Sequence, residues 1–350
     1  MKARTFLLPL LLGGLILALK LGVAQTAPAA VGPRVLDVVV TDKSDRPVAG
    51  LQTSDFKVLD NNQQRNVIGV RQVDGESPKS DPPVQAYLLV DMVNNSIDEM
   101  AATRKNIADY LRAGGGHLPV PTSLVFLTST RLKFQEQPTQ DANVLLDNLE
   151  KNPPPQRIYE RHGGGGEEEE MREESLRGLN GLALRLRDKP GRKLVVWISP
   201  GWASFSPGSD RKSLKELDAL FNYIVGITTV LREARITLYS IDPNGTPDYP
   251  ELFVGARYKE YLKGVATPKQ SNNGDLFLQV IATQTGGRVL YGSNNVAKMI
   301  DQCFADAESF YVLSYDAPAA NTENEYHGIQ ILVSKPGLKA RTITGFYAQP

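Results

Sequence analysis

Apolar positions along this chain follow two rhythms. Between Tyr87 and residue 309, continuous apolar runs of strand length (87–91, 123–129, 193–199, 235–242 and 288–291) alternate with stretches of helical spacing. A run with no polar interruption reads as a strand buried on both faces. The run Tyr87-Leu88-Leu89-Val90 ends in Asp91, passes through a polar turn, Asn94-Asn95, and enters an amphipathic helix. Ser96 and Glu99 have capping-box spacing at its start, and Ile97, Met100, Ala101, Ile107, Ala108 and Leu111 form its stripe. Further stripes are Leu176, Leu179, Leu182, Ala183 and Leu186, then Leu214, Leu217, Leu220, Phe221 and Ile224, and Val296, Met299, Ile300, Phe304 and Ala307. Strand–helix alternation predicts an α/β fold with a doubly wound, mostly parallel sheet over 84–309. Residues 131–137 read as an antiparallel hairpin partner at its edge. Ligands of such sheets bind outside the carboxyl ends of the strands, where Asp91 is expected.

The flanks have the other rhythm. Arg34–Thr41, Phe56–Asp60 and Asn66–Val70 read as short strands, and Phe310–Tyr315, His327–Ser334 and Ala340–Tyr347 return to the same pattern. Neither set closes a core alone. The simplest arrangement pairs 34–73 with 310–350 in one small β-sandwich flanking the α/β unit, with 74–83 as a linker; two separate β appendages are the alternative.

The first residues carry an address. Lys2 and Arg4 precede an apolar run from Phe6 to Leu19, and Gly22-Val23-Ala24 is a small-residue cleavage site before Gln25. The run falls short of the roughly 20 residues that span a bilayer, and Lys20 interrupts it. Residues 1–24 are therefore read as an export signal and 25–33 as a linker, with an uncleaved anchor as the alternative. The expected location is periplasmic or extracellular, with no stable membrane span after cleavage.

Composition narrows function. The 350 residues carry 39 basic and 39 acidic side chains, a formal net charge of zero, which gives no electrostatic case for binding nucleic acid. The single cysteine, Cys303, lies on an apolar helical face and reads as core. No glycine-rich dinucleotide fingerprint, phosphate loop or Gly-x-Ser-x-Gly elbow occurs, and His117, His162 and His327 show no metal-ligand spacing. An enzyme is the less favoured reading.

A strand ending in Asp91, a polar turn and a helix resembles the start of a von Willebrand factor A-type domain. Residues 40–56 and the ending Pro336-Gly337-Leu338 through Phe346-Tyr347 resemble exported bacterial A-domain-related proteins of the group common in acidobacteria. The resemblance implies a metal-ion-dependent adhesion site, in which Asp-x-Ser-x-Ser, a distant Thr and a distant Asp hold a divalent cation, usually Mg2+. Asp91 matches the first Asp. Val93 stands at the first Ser position and offers no side-chain oxygen, and Asn95 stands at the second. The loop at 161–171 has no Thr, and Ser199-Pro200-Gly201-Trp202 has no Asp. The metal site is therefore expected to be degenerate, with Asp91 and Asn95 as its remaining ligands and no cofactor beyond a possible Mg2+.

The expected function is an exported protein-interaction module, with a divalent-metal-dependent adhesion module rebuilt around Asp91 as the alternative. Its partner is a protein. Its contact surface is expected at the 92–96, 160–172 and 200–209 loops, with Asn94, Ser96, Trp202 and Phe205 as contact residues. The aromatic pair reads equally well as a satellite core under the loop, and the tract of glycines and glutamates at 163–170 as a solvated loop. Asp242, in Asp-Pro-Asn-Gly, reads as a turn former about 10 Å from Asp91, two strands away.

Overall fold

The computed structural model describes residues 30–75, 83–135, 137–153, 165–202, 212–245 and 257–350. The proposed signal, Phe205 and His162 lie outside them. The chain begins with β1 (Ala30–Thr41), β2 (Phe56–Asp60), β3 (Gln63–Arg65) and β4 (Val67–Asp74). The central unit runs β5 (Val84–Asp91), α1 (Ile97–Ala113), β6 (His117–Leu127), β7 (Leu132–Phe134), β8 (Thr139–Asp141), α2 (Ala142–Lys151), α3 (Gly165–Arg187) and β9 (Arg192–Ile198). It continues through α4 (Leu214–Glu233), β10 (Ile236–Ile241), α5 (Leu278–Gln284), β11 (Val289–Leu290) and α6 (Val296–Glu308). The chain closes with β12 (Ser309–Pro318), β13 (Glu325–Val333), β14 (Lys339–Arg341) and β15 (Gly345–Ala348).

The central sheet has the order β11-β10-β9-β5-β6-β7, with β8 also on β6. Its strands from β11 to β6 are parallel, while β7 and β8 run antiparallel. Helices cover both faces, which is why β5 reads as a continuous apolar run. Leu88 and Val90 pack with Met100, Ile107 and Leu145 of α1 and α2, and with Ile300 of α6. Tyr87 and Leu89 point the other way, into Leu179 and Leu182 of α3 and Ile224 of α4. The α1 stripe is turned from its expected position: Met100, Thr103, Ile107, Tyr110 and Leu111 are buried, whereas Ile97 and Ala101 face solvent. In α4 Leu214 projects into solvent, Leu220 is partly buried against the core, and Phe221 is the first buried residue.

The flanking strands form two four-stranded sheets, β14-β1-β12-β4 and β15-β13-β2-β3. Residues from both ends of the chain interleave: β1 lies antiparallel to β12, and β2 to β13. Between the sheets lie Leu36, Val38, Val40, Val58, Tyr311 and Leu313. The alternate residues of the same strands, Val39 and Phe310, belong to the core of the central unit, with Val312 partly buried against it. The β14-β1-β12-β4 sheet is thus a wall shared by two cores. β1 starts at Ala30, pairing with Pro318, so the strand reaches into the stretch read as linker. Among the described residues no helix is long and apolar enough to cross a membrane.

Candidate functional site

Strand order reverses at β5, which has β6 on one side and β9 on the other, so its carboxyl end is a topological switch point. Asp91 ends β5 and is fully buried. Its Oδ1 accepts from the backbone N–H of Val93 at 2.9 Å and of Asn94 at 3.0 Å, a turn in which the aspartate satisfies its own following backbone. Its Oδ2 accepts from Asn94 Nδ2 at 2.7 Å and from the indole Nε1 of Trp197 at 2.8 Å. The register explains the last bond. Leu89 pairs with Trp197 on β9, and Asp91, two residues beyond Leu89, projects from the same face, so the two side chains are diagonal neighbours.

The rest of the turn is equally committed. Asn94 Nδ2 also donates to Ser175 Oγ of α3 at 2.8 Å, and Asn95 Nδ2 donates to the Asp91 carbonyl at 2.7 Å. Val93 is buried against α3 and α4. Ser96 is the N-cap of α1: its Oγ accepts from Glu99 N at 3.3 Å, and its N–H donates to Glu99 Oε2 at 2.7 Å. Asp242, at the end of β10, accepts from Asn244 N at 2.9 Å, in keeping with a turn role.

These residues do not fit a hard cation. Mg2+ and Ca2+ require about six or more oxygen ligands, and an ionised carboxylate has about four lone-pair sites. All four of Asp91 face N–H donors. Trp197 Nε1–H, which donates and cannot accept, stands where a cation would have to approach Oδ2. Two oxygens in the turn, Asn94 Oδ1 and Asn95 Oδ1, are buried with no partner among the described residues. Two amide oxygens do not make a coordination shell, and no group of three or more His, Cys, Asp or Glu able to hold a metal occurs among the described residues.

Trp202 is not an exposed anchor. It is buried, its ring meets that of Trp197 edge-on at 5.6 Å, and its Nε1 donates to the Leu276 carbonyl at 3.0 Å. The satellite-core reading is the one the structure gives it. Asn94 is likewise fully buried and unavailable as a contact residue. The glutamate tract is no loop: α3 begins at Gly165, and Glu167 and Glu168 occupy its first turn, where the helix macrodipole favours negative charge.

Sequence reasoning missed Trp197 and Ser175, which lie 106 and 81 positions from their partners in the Asp91 turn. A signal for Trp197 existed, since an indole in a buried strand has one N–H that needs an acceptor. Also missed was His327, whose Nδ1 is 2.8 Å from Asp60 Oδ1, 267 positions away, inside the sandwich. Asp60 Oδ2 accepts from the Tyr315 hydroxyl at 3.3 Å, and the imidazole stacks on Phe346, so the pair reads as a core cluster, although His327 Nε2 is buried with no hydrogen-bond partner among the described residues.

No family model and no curated protein matches this chain. Among solved structures it is similar to the PilB minor pilin from Streptococcus sanguinis, at 11% identity over 64% of this chain and 62% of that one, with a TM-score of 0.36. A von Willebrand factor type A structure from Catenulispora acidiphila is 7% identical over 93% of this chain and 75% of its own, with a TM-score of 0.33. The pilus adhesin SpaC from Lactobacillus rhamnosus GG is 10% identical over 83% and 47%, with a TM-score of 0.35. The chain spans less than two thirds of the minor pilin and less than half of the adhesin. With scores this low, the architecture rests on its own strand order and register.

The carboxyl edge also carries a cleft of about 340 Å³ between the turn after β6, at Thr128–Leu132, and α3. Arg131, Arg177 and Arg185 line it, with Phe134 beneath the Arg185 guanidinium at 4.5 Å.

Proposed function

We propose that this chain is an exported, non-catalytic protein-interaction module of the von Willebrand factor A type, whose sheet-end site is closed by its own donors and works without a metal. The observation that carries the reading is the saturation of the Asp91 carboxylate by Val93, Asn94 and Trp197. A carboxylate held this way organises the turn and leaves no lone pair for an ion. Export rests on the basic, apolar and small-residue pattern of residues 1–24. The contact surface under this reading is the arginine-lined cleft beside the Thr128–Leu132 turn, since loops at strand ends are where rigid scaffolds present contacts. Three arginines against one acidic residue, Glu174, with Arg185 seated on the Phe134 ring, leave a net positive lining that suits an acidic segment of a protein partner.

The test is thermal unfolding with and without millimolar magnesium, manganese or calcium, for the wild type and Asp91→Ala. A cation bound by the folded form alone must raise the melting temperature. The expected outcome is no shift in either protein. Capture of partners from the producing cell's envelope should then be indifferent to EDTA and lost in Arg131→Glu/Arg177→Glu. The unpaired amide oxygens of Asn94 and Asn95 favour a second reading, a metal-dependent adhesion site rebuilt around Asp91. A cation-induced shift that disappears in Asp91→Ala would put that reading first.

A further inference from the structure

A second cleft lies at the opposite, amino end of the parallel sheet. It encloses about 500 Å³ where the start of β1, the end of α4, the start of β10 and the segment following β14 converge. Three arginines line it, Arg34, Arg232 and Arg235, together with two acidic residues, Asp37 and Glu233. Asp37 is already committed: Arg235 Nη2 is 2.5 Å from its Oδ1 and Arg235 Nε 3.2 Å from its Oδ2. That leaves Arg34 and Arg232 with Glu233, a single carboxylate for two guanidiniums, which is 3.9 Å from Arg232 Nη2 and partly exposed.

The two remaining guanidiniums are poorly served by the protein. Arg232 Nε is buried and has no hydrogen-bond partner among the described residues. Arg34 rests on the Phe346 ring at 3.9 Å, and among the described residues no carboxylate comes within ion-pair distance of it. Burial disfavours the charged form of both; Tyr315 and Asp60 offset this only in part at Arg34, and at Arg232 the proximity of Arg34 adds to it while Glu233 offsets part. Arg232 sits in the last turn of α4, whose C-terminus carries roughly half a negative charge. That offsets part of one cation and does nothing for the other. Fixed, repelling, half-desolvated guanidiniums with unfilled donors around an open volume are the arrangement that recognises an oxyanion, because the planar fork matches a carboxylate or phosphate.

We infer that this cleft binds a small organic oxyanion of at least two negative charges, a phosphate monoester or a polycarboxylate, between Arg34 and Arg232. The walls argue for more than a bare ion. Val35, Ile236 and Ile343 supply an apolar lining, and the volume falls within the range of about 300–1,000 Å³ typical of small-molecule sites. The site is independent of the Asp91 turn and of the function proposed for it.

The test uses the full chain at constant ionic strength, with inorganic phosphate and citrate as probes, read by thermal unfolding and by titration calorimetry. The expected result is a saturable rise in melting temperature with one anion bound per chain. Binding should be at least tenfold weaker in Arg34→Gln and in Arg232→Gln and unchanged in the distant Lys105→Gln. In anion-free buffer Arg232→Gln should melt no lower than the wild type, because it removes one of two repelling charges; this separates lost binding from lost fold. Preference for phosphate assigns the phosphate-ester class, and preference for citrate the polycarboxylate class. No saturable effect of either anion, or equal binding by the wild type and both glutamine variants, would overturn the inference.

Discussion

Arg341 of β14 places its Nη2 2.7 Å and 2.8 Å from the two carboxylate oxygens of Asp306 in α6. The aspartate has essentially no solvent exposure, and Arg288 Nη2 at 3.0 Å and the Tyr239 hydroxyl at 2.9 Å complete its shell. One buried carboxylate therefore ties the sandwich to the central sheet. Burial pushes its pKa up, but the charge and hydrogen bonds of Arg341 and the bonds from Arg288 outweigh burial and hold it below the usual carboxylate range.

Removing that carboxylate leaves two guanidiniums facing each other in the interior. Asp306→Ala should cost about 3–5 kcal/mol, as breaking a buried ion pair does. Denaturant unfolding checks it, and a loss typical of a surface change would show that the cluster is not a tie. The stabilisation is present above the ordinary aspartate pKa and disappears as pH falls through the lowered, folded-state value.

Trp197→Phe keeps most of the ring volume and deletes one N–H, leaving a buried carboxylate oxygen short of a donor. The expected destabilisation is about 1–3 kcal/mol, measured by thermal or denaturant unfolding. A neutral substitution would mean that Asp91 does not depend on the indole.

Trp202→Ala distinguishes a core residue from a contact residue. Its ring is buried against Trp197, so the change should cost about 3–5 kcal/mol of stability. A variant as stable as the wild type but deficient in partner capture would restore the contact role.

Asp275 supplies a pH signature. Burial raises its pKa to about 6, only partly countered by the Asn272 N–H that donates to it. The folded state thus holds this proton more tightly than the unfolded chain. Its contribution to stability is greatest below the ordinary aspartate value of 3.8 and is lost as pH rises to about 6. Asp275→Asn should flatten the pH dependence of the melting temperature between those limits. An unchanged profile would show that the carboxyl titrates normally.

Much of the architecture could be read in advance from periodicity, because burial on two faces leaves an unbroken apolar run and burial on one face leaves a stripe. The end of β5 was legible for the same reason: the apolar run stops at Asp91, and Ser96 with Glu99 announces a helix. What fills the site was not. Trp197 and Ser175 reach Asp91 through strand register and helix packing, relationships set by pairing across the sheet rather than by neighbours in the chain. Trp202 follows a Pro-Gly pair, which locally reads as a loop, and only the Leu276 carbonyl and the Trp197 ring decide that it points inward. Glu167 and Glu168 lack an apolar rhythm, since the first buried side chain of α3 is Met171, so the helix start is invisible to periodicity. The amino-end cleft draws Arg34, Arg232 and Ile343 from three distant segments and has no local signature at all.

The shared wall has a consequence for synthesis. β1 is flanked by β12 and β14 and by no strand that precedes them in the chain. Only Val40 and Thr41 have a local partner, the segment at Pro47–Val48, so a nascent chain emerging at about 5–20 residues per second carries most of β1 unpaired for some tens of seconds, until the segment at 309–341 is made. The first strand waits for nearly the last, so the sandwich cannot form step by step behind the ribosome. It closes only after the segment at 309–341 has been made, and until then the apolar face of Leu36, Val38 and Val40 stays uncovered and adhesive for whatever accompanies the chain.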